Sequence, residues 1–529
     1  MRSSNLSRLP QHLHIREHQV LRVLGVAREG GCYVVPNMLG LLLTAFFENT
    51  VAQGGSWGPN IEFPIIPVAA YIIPELPESH RMMVYSAYSA NSFGGSRGIT
   101  QFAEIDFRTG AVSARQVSDT QHDMFCPGMS SLADGRLTSI YNPSTGGFTS
   151  GANMQISRGY QSSTVLSNGK VFTIGGSWSG VDSNKTGEVY DPSANAWSLL
   201  PGADVAPMLT SDHEGKFRED NHAWLFAWRN GSVFQAGPSK AMNWYYTDGQ
   251  GGVSPAGIRD SANDAMCGVN VMYDIGKIFS AGGSQYYDEA PGLSVAHLIS
   301  IDQVGAPAVV EKLPSMKYAR AFANVVVLPD GKILVTGGQG YAKGFTDRDP
   351  VFAPEIFDPS TKKFTELAPD SIPRNYHSVA ILLADGTVFS GGGGLCWDDG
   401  TGAPSARCRN TVDHPNGAIF TPPYLKTEDV RPVISGLSST VTRPGGELRA
   451  TIIGSAEGVT FSLIRIGSVT HNINSDQRRI PLVPETIAGT EVVLRLPGDS
   501  GVVLPGYWYL FAVSAQGVPS IAKTVMVQL

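Results

Sequence analysis

Charge is scarce in this chain of 529 residues: Asp, Glu, Lys and Arg make up only 16%, and the net charge of -7 is spread along its length. There is no basic block and no acidic tail, which removes a nucleic-acid groove and a solvating arm from consideration. Long amphipathic helical stretches are few. No apolar run reaches the ~20 residues that a membrane-crossing helix needs, so neither nucleic acid nor membrane is an expected partner. Cysteines number five, an odd count. What the chain has instead is 60 glycines and 34 prolines, a composition that suits many short strands joined by tight turns.

The N-terminus carries Met38-Leu39-Gly40-Leu41-Leu42-Leu43-Thr44-Ala45-Phe46-Phe47, preceded by several arginines and followed by Thr50-Val51-Ala52 before Gln53. A short apolar run ahead of a small-residue site predicts a signal peptide, with 1–52 as leader and Met38 as an alternative start. A buried strand is the plainer alternative. Secretion would place the protein outside the cell, where disulfides persist. Asn184-Lys185-Thr186 and Asn230-Gly231-Ser232 would then be glycosylation acceptors.

A repeat runs through the middle of the chain. Asn168-Gly169-Lys170-Val171-Phe172-Thr173-Ile174-Gly175-Gly176 recurs from Ile275 to Gly283, from Asp330 to Gly338 and from Asp385 to Gly392, with a degenerate copy at 230–238. The copies recur roughly every 45 to 62 residues, near the ~50 of kelch blades. A blade cannot bury both faces alone, so blades stack radially around a channel. The expected fold is all-β: a kelch β-propeller over 53–425, then an immunoglobulin-like β-sandwich over 426–529 built on strands near 447–453, 459–466, 491–496 and 507–513. One copy is damaged. Asp134-Gly135-Arg136-Leu137 passes directly to Thr138-Ser139-Ile140-Tyr141-Asn142-Pro143, without the glycines or a second strand.

Two strings, Arg158-Gly159-Tyr160-Gln161-Ser162 and Arg374-Asn375-Tyr376-His377-Ser378, share the pattern Arg-x-Tyr-x-Ser and read as one position in two blades. His471 lies in a polar hairpin tip of the second domain that could reach the channel. Tyr160, Tyr376, His377 and His471 form a nitrogen–oxygen set that suits tetragonal Cu(II) better than tetrahedral zinc. Strand neighbours point to opposite faces, so Tyr376 and His377 can share a metal only where the strand bends or begins. Cys396 and Cys408 bracket a Gly/Asp/Pro loop and are expected to pair, a closure worth about 3 kcal/mol in the chain-entropy model. Cys267 reads as a buried thiol and Cys32 precedes the cleavage site, so Cys126 is left over.

These strings, with Asp123-Met124-Phe125-Cys126-Pro127-Gly128, Gly175-Gly176-Ser177-Trp178-Ser179-Gly180 and Asp476-Gln477-Arg478-Arg479-Ile480-Pro481-Leu482, closely resemble the galactose oxidase family of copper radical alcohol oxidases from about residue 56 to the end. The resemblance implies a seven-bladed kelch β-propeller closed by the C-terminal domain, and one copper ion held by Tyr160, Tyr376, His377 and His471. It also implies a thioether joining Cys126 to Tyr160 as a radical cofactor, with Trp178 stacked over it. Tyr376 would act as base towards a primary alcohol, the Tyr160 radical would take a hydrogen atom, and O2 would leave as hydrogen peroxide. Arg218, Phe93 and Phe345 match the substrate pocket. Phe217 stands where a tyrosine is usual, Glu214 and Asp288 where glutamines are usual, and Gly344 where a proline is usual. Carboxylates accept hydrogen bonds but cannot donate them, so a galactose-type sugar, a related carbohydrate or another primary alcohol all remain open.

The expected function is a secreted, monomeric copper radical oxidase. Glyoxal oxidases share the copper set but prefer aldehydes, and Trp178 and Arg218 count against them. The competing class is a kelch propeller that only binds partners, a reading the damaged blade keeps open.

Overall fold

The computed structural model describes residues 54–529 apart from 95–96, 122–123, 126–127, 138–140, 182–183, 399–407, 409–411 and 455. The leader expected over 1–52, Cys32 and Cys126 lie outside the described residues.

Nearly all regular structure is β. Each turn-and-strand unit of the repeat becomes the second strand of an antiparallel sheet: Val171–Ile174, Val233–Gly237, Lys277–Ala281, Ile333–Gln339 and Val388–Gly392. The strand before each one lies innermost in its blade, and neighbouring inner strands pack together, as Val269–Asp274 does with Ala321–Val327 and the latter with Ser378–Leu382. Another blade runs Ala69–Ile73, Arg81–Tyr85, Thr100–Asp106 and Ala111–Val117. The early strand Ser56–Trp57 completes the last blade by pairing with Asn416–Thr421, which ties the two ends of the propeller together.

Among the described residues six sheets have four or more strands in this pattern. Where a seventh blade is expected there is a remnant, the hairpin of Tyr141–Asn142 with Gly147–Phe148. Leu137 bridges both Ser131 and Tyr141, so it links that hairpin to the segment at Ser131. A cleft of about 690 Å³, lined in part by Met83, Met129, Tyr141, Phe148 and Gln161, lies beside it.

The paired glycines have a steric cause. A Cβ on Gly175 would sit 2.3 Å from the carbonyl oxygen of Asp220 in the next blade, and one on Gly337 would sit 2.2 Å from that of Arg374. Both also have positive φ, so only glycine fits where adjacent blades touch. The arginine of each motif string locks its own blade. Arg158 donates to the Gly175 carbonyl at 2.9 Å and pairs with fully buried Glu188. Arg374 donates to the Gly392 carbonyl at 3.1 Å. Arg320, not singled out by its sequence, repeats the scheme with Gly337 and Glu355.

The C-terminal sandwich pairs one sheet of Val433–Leu437, Glu447–Ile453, Glu491–Arg495 and Thr486–Ala488 with another that includes Thr460–Arg465, Gly506–Val513 and Lys523–Val527. Between Ser468–Thr470 and Arg479–Leu482 a hairpin leaves the sandwich and enters the propeller. Thr470 pairs with Ala69, and Ser131 N donates to Asp476 at 2.7 Å. Val327 N donates to Gln477 at 2.7 Å, and Arg478 donates to the Ala227 carbonyl at 3.0 Å. One hairpin thus satisfies backbone groups of several blades, as buried polar groups require. Trp224, Trp228, Trp244 and Tyr245 are fully buried packing residues.

Candidate metal centre

The hairpin carries His471 to the heads of the inner strands. There Tyr160 Oη lies 2.8 Å from Tyr376 Oη. The His377 and His471 rings are 4.7 Å apart, Tyr160 and His471 are 5.0 Å apart, and Tyr376 and His377 are stacked at 3.9 Å. All four side chains are buried. Residues far apart in sequence therefore converge on one point.

The local backbone explains the convergence. Tyr160, His377 and His471 all have positive φ, at 64°, 67° and 50°, a left-handed conformation uncommon for such residues. It swings each side chain out of its strand alternation, which lets His377 share a face with Tyr376. His222, Cys267 and Phe322 adopt the same conformation at the heads of the intervening blades. The two motif strings are one residue out of step, contrary to their alignment by sequence. Ser378 pairs with Gly392, and Ser162 pairs with Ile174, one residue short of Gly175. Counted from those glycines, His377 and not Tyr376 holds the place of Tyr160. The extra residue after Arg374 is what brings a second ligand-type side chain to the axis.

The histidines are set up as nitrogen ligands. His377 Nδ1 donates to the Gly394 carbonyl at 2.7 Å, and its buried Nε2 has no hydrogen-bond partner. Its bonds to Gly394 and Leu395 give the Gly391–Gly394 run a role as an imidazole cradle. His471 Nδ1 bonds the Thr470 hydroxyl at 2.7 Å, and that hydroxyl donates to the Val68 carbonyl. In both rings the proton is fixed on Nδ1, leaving Nε2 as the lone-pair nitrogen. Burial, only partly offset by those carbonyls, holds the His377 pKa down to about 3. Burial, then the neighbouring His377 and His222 rings and the Arg218 guanidinium, hold His471 well below the ordinary histidine range. Elsewhere among the described residues no three His, Cys, Asp or Glu side chains gather at a metal-binding spacing. At the axis, two imidazoles and two phenols supply the set. That donor set and the orphaned Nε2 fit a copper ion.

Sequence reading missed two further residues here. Tyr287 Oη donates to Tyr376 Oη at 3.2 Å, and His222 Nε2 lies 3.3 Å from Tyr287 Oη. Neither belongs to a repeated string, though the left-handed turn at His222 matches that at Tyr160.

Two aromatic walls rise above the four residues. Phe345 packs on Tyr376 at 5.0 Å and on His377 at 5.6 Å, and Phe93 stacks on Phe125 at 4.1 Å. Opposite, Trp178 meets the Tyr160 ring at 5.2 Å and 73°, edge-on rather than stacked as expected. Its face is covered by the Arg218 guanidinium at 4.3 Å, with Phe217 alongside at 5.4 Å. Asp220 accepts from Ser177 N and Oγ and so fixes the Trp178 loop. Glu214 binds Arg218 Nε at 2.7 Å. Asp288 accepts from Gly344 N at 2.9 Å, so that carboxylate tethers the Phe345 loop. Cys396 and Cys408 form a disulfide, and Cys267 is a buried free thiol.

Three family models match the chain: a galactose oxidase-like early set domain over residues 431–527, the glyoxal oxidase N-terminus over 290–395 and the kelch motif over 158–202. The galactose oxidase of Gibberella zeae is 47% identical over 495 residues, 89% of this chain and 70% of the relative. The aldehyde oxidase GLOX of Vitis pseudoreticulata is 26% identical over 406 residues, 70% of this chain and 72% of the relative. A solved structure described as a novel fungal alcohol oxidase with catalytic diversity among the AA5 family, in complex with copper, superposes with a TM-score of 0.83 at 43% identity. It covers 90% of this chain and 100% of its own.

Proposed function

This chain belongs to the galactose oxidase family of copper alcohol oxidases, and from that premise we propose that it oxidises primary alcohols to aldehydes at the Tyr160–Tyr376–His377–His471 centre while O2 is reduced to hydrogen peroxide. The observation that carries the reading is the 2.8 Å contact of two buried phenols beside a buried imidazole nitrogen with no partner. Tyr160, Tyr376, His377 and His471 would hold copper. Bound copper supplies a Lewis-acid position for the alcohol oxygen and accepts one of the two electrons released.

The remaining chemistry belongs to the side chains. Tyr376 Oη, hydrogen-bonded to both Tyr160 and Tyr287, takes the alcohol proton as general base. Tyr160, its ring joined to the Cys126 sulfur and oxidised at the expense of O2, would supply the one-electron oxidant that takes a hydrogen atom from the carbinol carbon. Together these steps remove two electrons and two protons, which O2 carries away. The two aromatic walls exclude water from the radical. The alcohol reading is preferred to glyoxal oxidation because a cation, Arg218, and Trp178 share one wall of the site.

We place the leader at 1–52, the catalytic propeller at 53–425 and the sandwich at 426–529, and the protein outside the cell as a monomer. No helix among the described residues is long and apolar enough to cross a membrane. The test is a peroxidase-coupled assay on copper-loaded protein with galactose, raffinose, glycerol and benzyl alcohol. Peroxide from at least one of them is expected. Copper binding with no peroxide from any would favour an inactive binding propeller, whose incomplete blade leads directly into Tyr160.

A further inference from the structure

We propose that the cleft beside the remnant blade is a strand-acceptor site, which takes an extended apolar peptide ending in glycines and pairs it as the missing second strand. That occupancy holds whether or not the metal centre oxidises alcohols.

Register identifies what the blade lacks. In the next blade Leu166 N donates to the Lys170 carbonyl at 2.8 Å, and Val171 then pairs with Val165 on one side and Tyr190 on the other. In the remnant, Leu132 N donates to the Arg136 carbonyl at 2.8 Å, and Leu137 bridges Ser131 and Tyr141. Leu137 therefore holds the place of Val171. The hairpin obeys the same correspondence. Tyr141 pairs with Phe148 as Tyr190 does with Trp197 and Phe357 with Phe364. Tyr141-Asn142-Pro143-Ser144 likewise repeats Tyr190-Asp191-Pro192-Ser193. The hairpin is thus a third and fourth strand, and Leu137 is the start of a second. In the next blade Phe172-Thr173-Ile174-Gly175-Gly176 and a loop follow, whereas only Thr138-Ser139-Ile140 separate Leu137 from Tyr141.

The cleft suits the lost strand. Its volume of about 690 Å³ is that of a ligand pocket. Met83, Phe102 and Met129 give it apolar lining, and Gly128, Arg158 and Gln161 also line it. The second strands Val171–Ile174 and Val388–Gly392 are buried along their whole length, so an occupant of the equivalent position is apolar on both faces. Its far end must be glycine. A Cβ on Gly337 would sit 2.2 Å from the Arg374 carbonyl oxygen, and Arg158 is the counterpart of Arg374 in its own motif string. Gln161, nine-tenths buried, has an Oε1 without a hydrogen-bond partner, which leaves an acceptor at the wall. Strand addition reads backbone groups along an open edge and side chains in pockets. A compact apolar molecule would cover the methionines and rings but would leave that edge unpaired.

The experiment titrates the copper-loaded full chain with fluorescein-labelled Gly-Lys-Val-Phe-Thr-Ile-Gly-Gly, the sequence of residues 169–176, and follows anisotropy. A scrambled peptide and one with proline replacing the threonine serve as controls. Saturable one-to-one binding is expected, about tenfold or more weaker for both controls, the worth of a backbone hydrogen bond left unmade. The peptide should raise the melting temperature and slow amide exchange around Ser131 and Tyr141. A second form, with residues 172–186 inserted after Leu137, should melt higher than wild type and no longer bind the peptide. Where that form does not fold, the wild-type titration and exchange decide alone. No saturable binding, equal binding of the proline peptide, or binding that leaves exchange around Ser131 and Tyr141 unchanged would overturn the site. Anilinonaphthalene sulfonate bound there and not displaced by the peptide would mark a plain apolar pocket and overturn it as well. A dimer that protects the same amides without peptide would assign the cleft to a second copy and equally overturn it.

Discussion

At the scale of single residues, the centre depends on a few side chains turned out of regular strand geometry. Tyr376 and His377 are sequence neighbours that would diverge on a straight strand, and a positive φ at His377 brings them together. The two have separable roles. His377→Ala removes a nitrogen ligand and should weaken copper binding at least tenfold to a hundredfold, the range known for disrupting ligand support. Tyr376→Phe keeps the ring but removes an oxygen proposed both to hold copper and to accept the substrate proton, so its kcat is read at saturating copper. The substitution should lower kcat by 10²–10⁴, roughly the worth of a general base. Copper titration followed by the peroxide assay at saturating copper separates binding from turnover, and an undiminished kcat in copper-saturated Tyr376→Phe would contradict the assignment. Three of the side chains that converge at the axis, Tyr160, Tyr376 and His377, were legible from the Arg-x-Tyr-x-Ser strings. Their one-residue offset was not, because it shows only in pairing to the glycines.

At the scale of elements, the decisive piece is the hairpin that leaves the sandwich and enters the propeller. Its Asp476 accepts from Arg465 at 2.6 Å and from Ser131 N at 2.7 Å, with both charged side chains buried. Asp476 touches none of the four candidate ligands by these bonds, yet it fixes the segment that carries His471. Asp476→Ala leaves Arg465 buried and unpaired and should destabilise the protein by about 3 kcal/mol or more. It should also lower copper affinity by about tenfold through a displaced His471. Urea unfolding and copper titration on the same variant would check this, and unchanged copper affinity despite lost stability would show that the hairpin does not position the ligand. The repeat made the blades readable, because Gly-Gly and the buried arginine recur for steric and hydrogen-bonding reasons. Arg320 escaped notice because Phe322 replaces the tyrosine of the string. Tyr287 and His222 escaped because they lie outside any repeated pattern and acquire meaning only when the ring of blades closes.

At the scale of the whole molecule, closure of the propeller buries several imidazoles together. Burial, followed by the charges of Arg218 and His377, holds the His222 pKa down to about 3, and burial holds His377 at about 3 as well. In the unfolded chain these rings take up protons near 6.5. The unfolded state therefore binds more protons between those values, and stability is full above about pH 6.5 and lost as pH falls towards about 3. The melting temperature of metal-depleted protein, followed by circular dichroism, should drop steadily on acidification through that window. A flat profile there would mean that the rings are not buried as a group. The propeller and sandwich could be anticipated from glycine spacing and strand alternation. The remnant blade is a gap of missing residues, and the cleft beside it could not be sized without the packing of Met83, Tyr141 and Phe148.

The central claim, that two phenols and two imidazoles hold one cupric ion, is tested most directly by the electron paramagnetic resonance spectrum of protein loaded with one equivalent of copper. The account predicts a single tetragonal Cu(II) signal split by two equatorial nitrogens, reduced to one in His471→Ala. A signal without nitrogen splitting, or one that the His471→Ala substitution leaves unchanged, would contradict it.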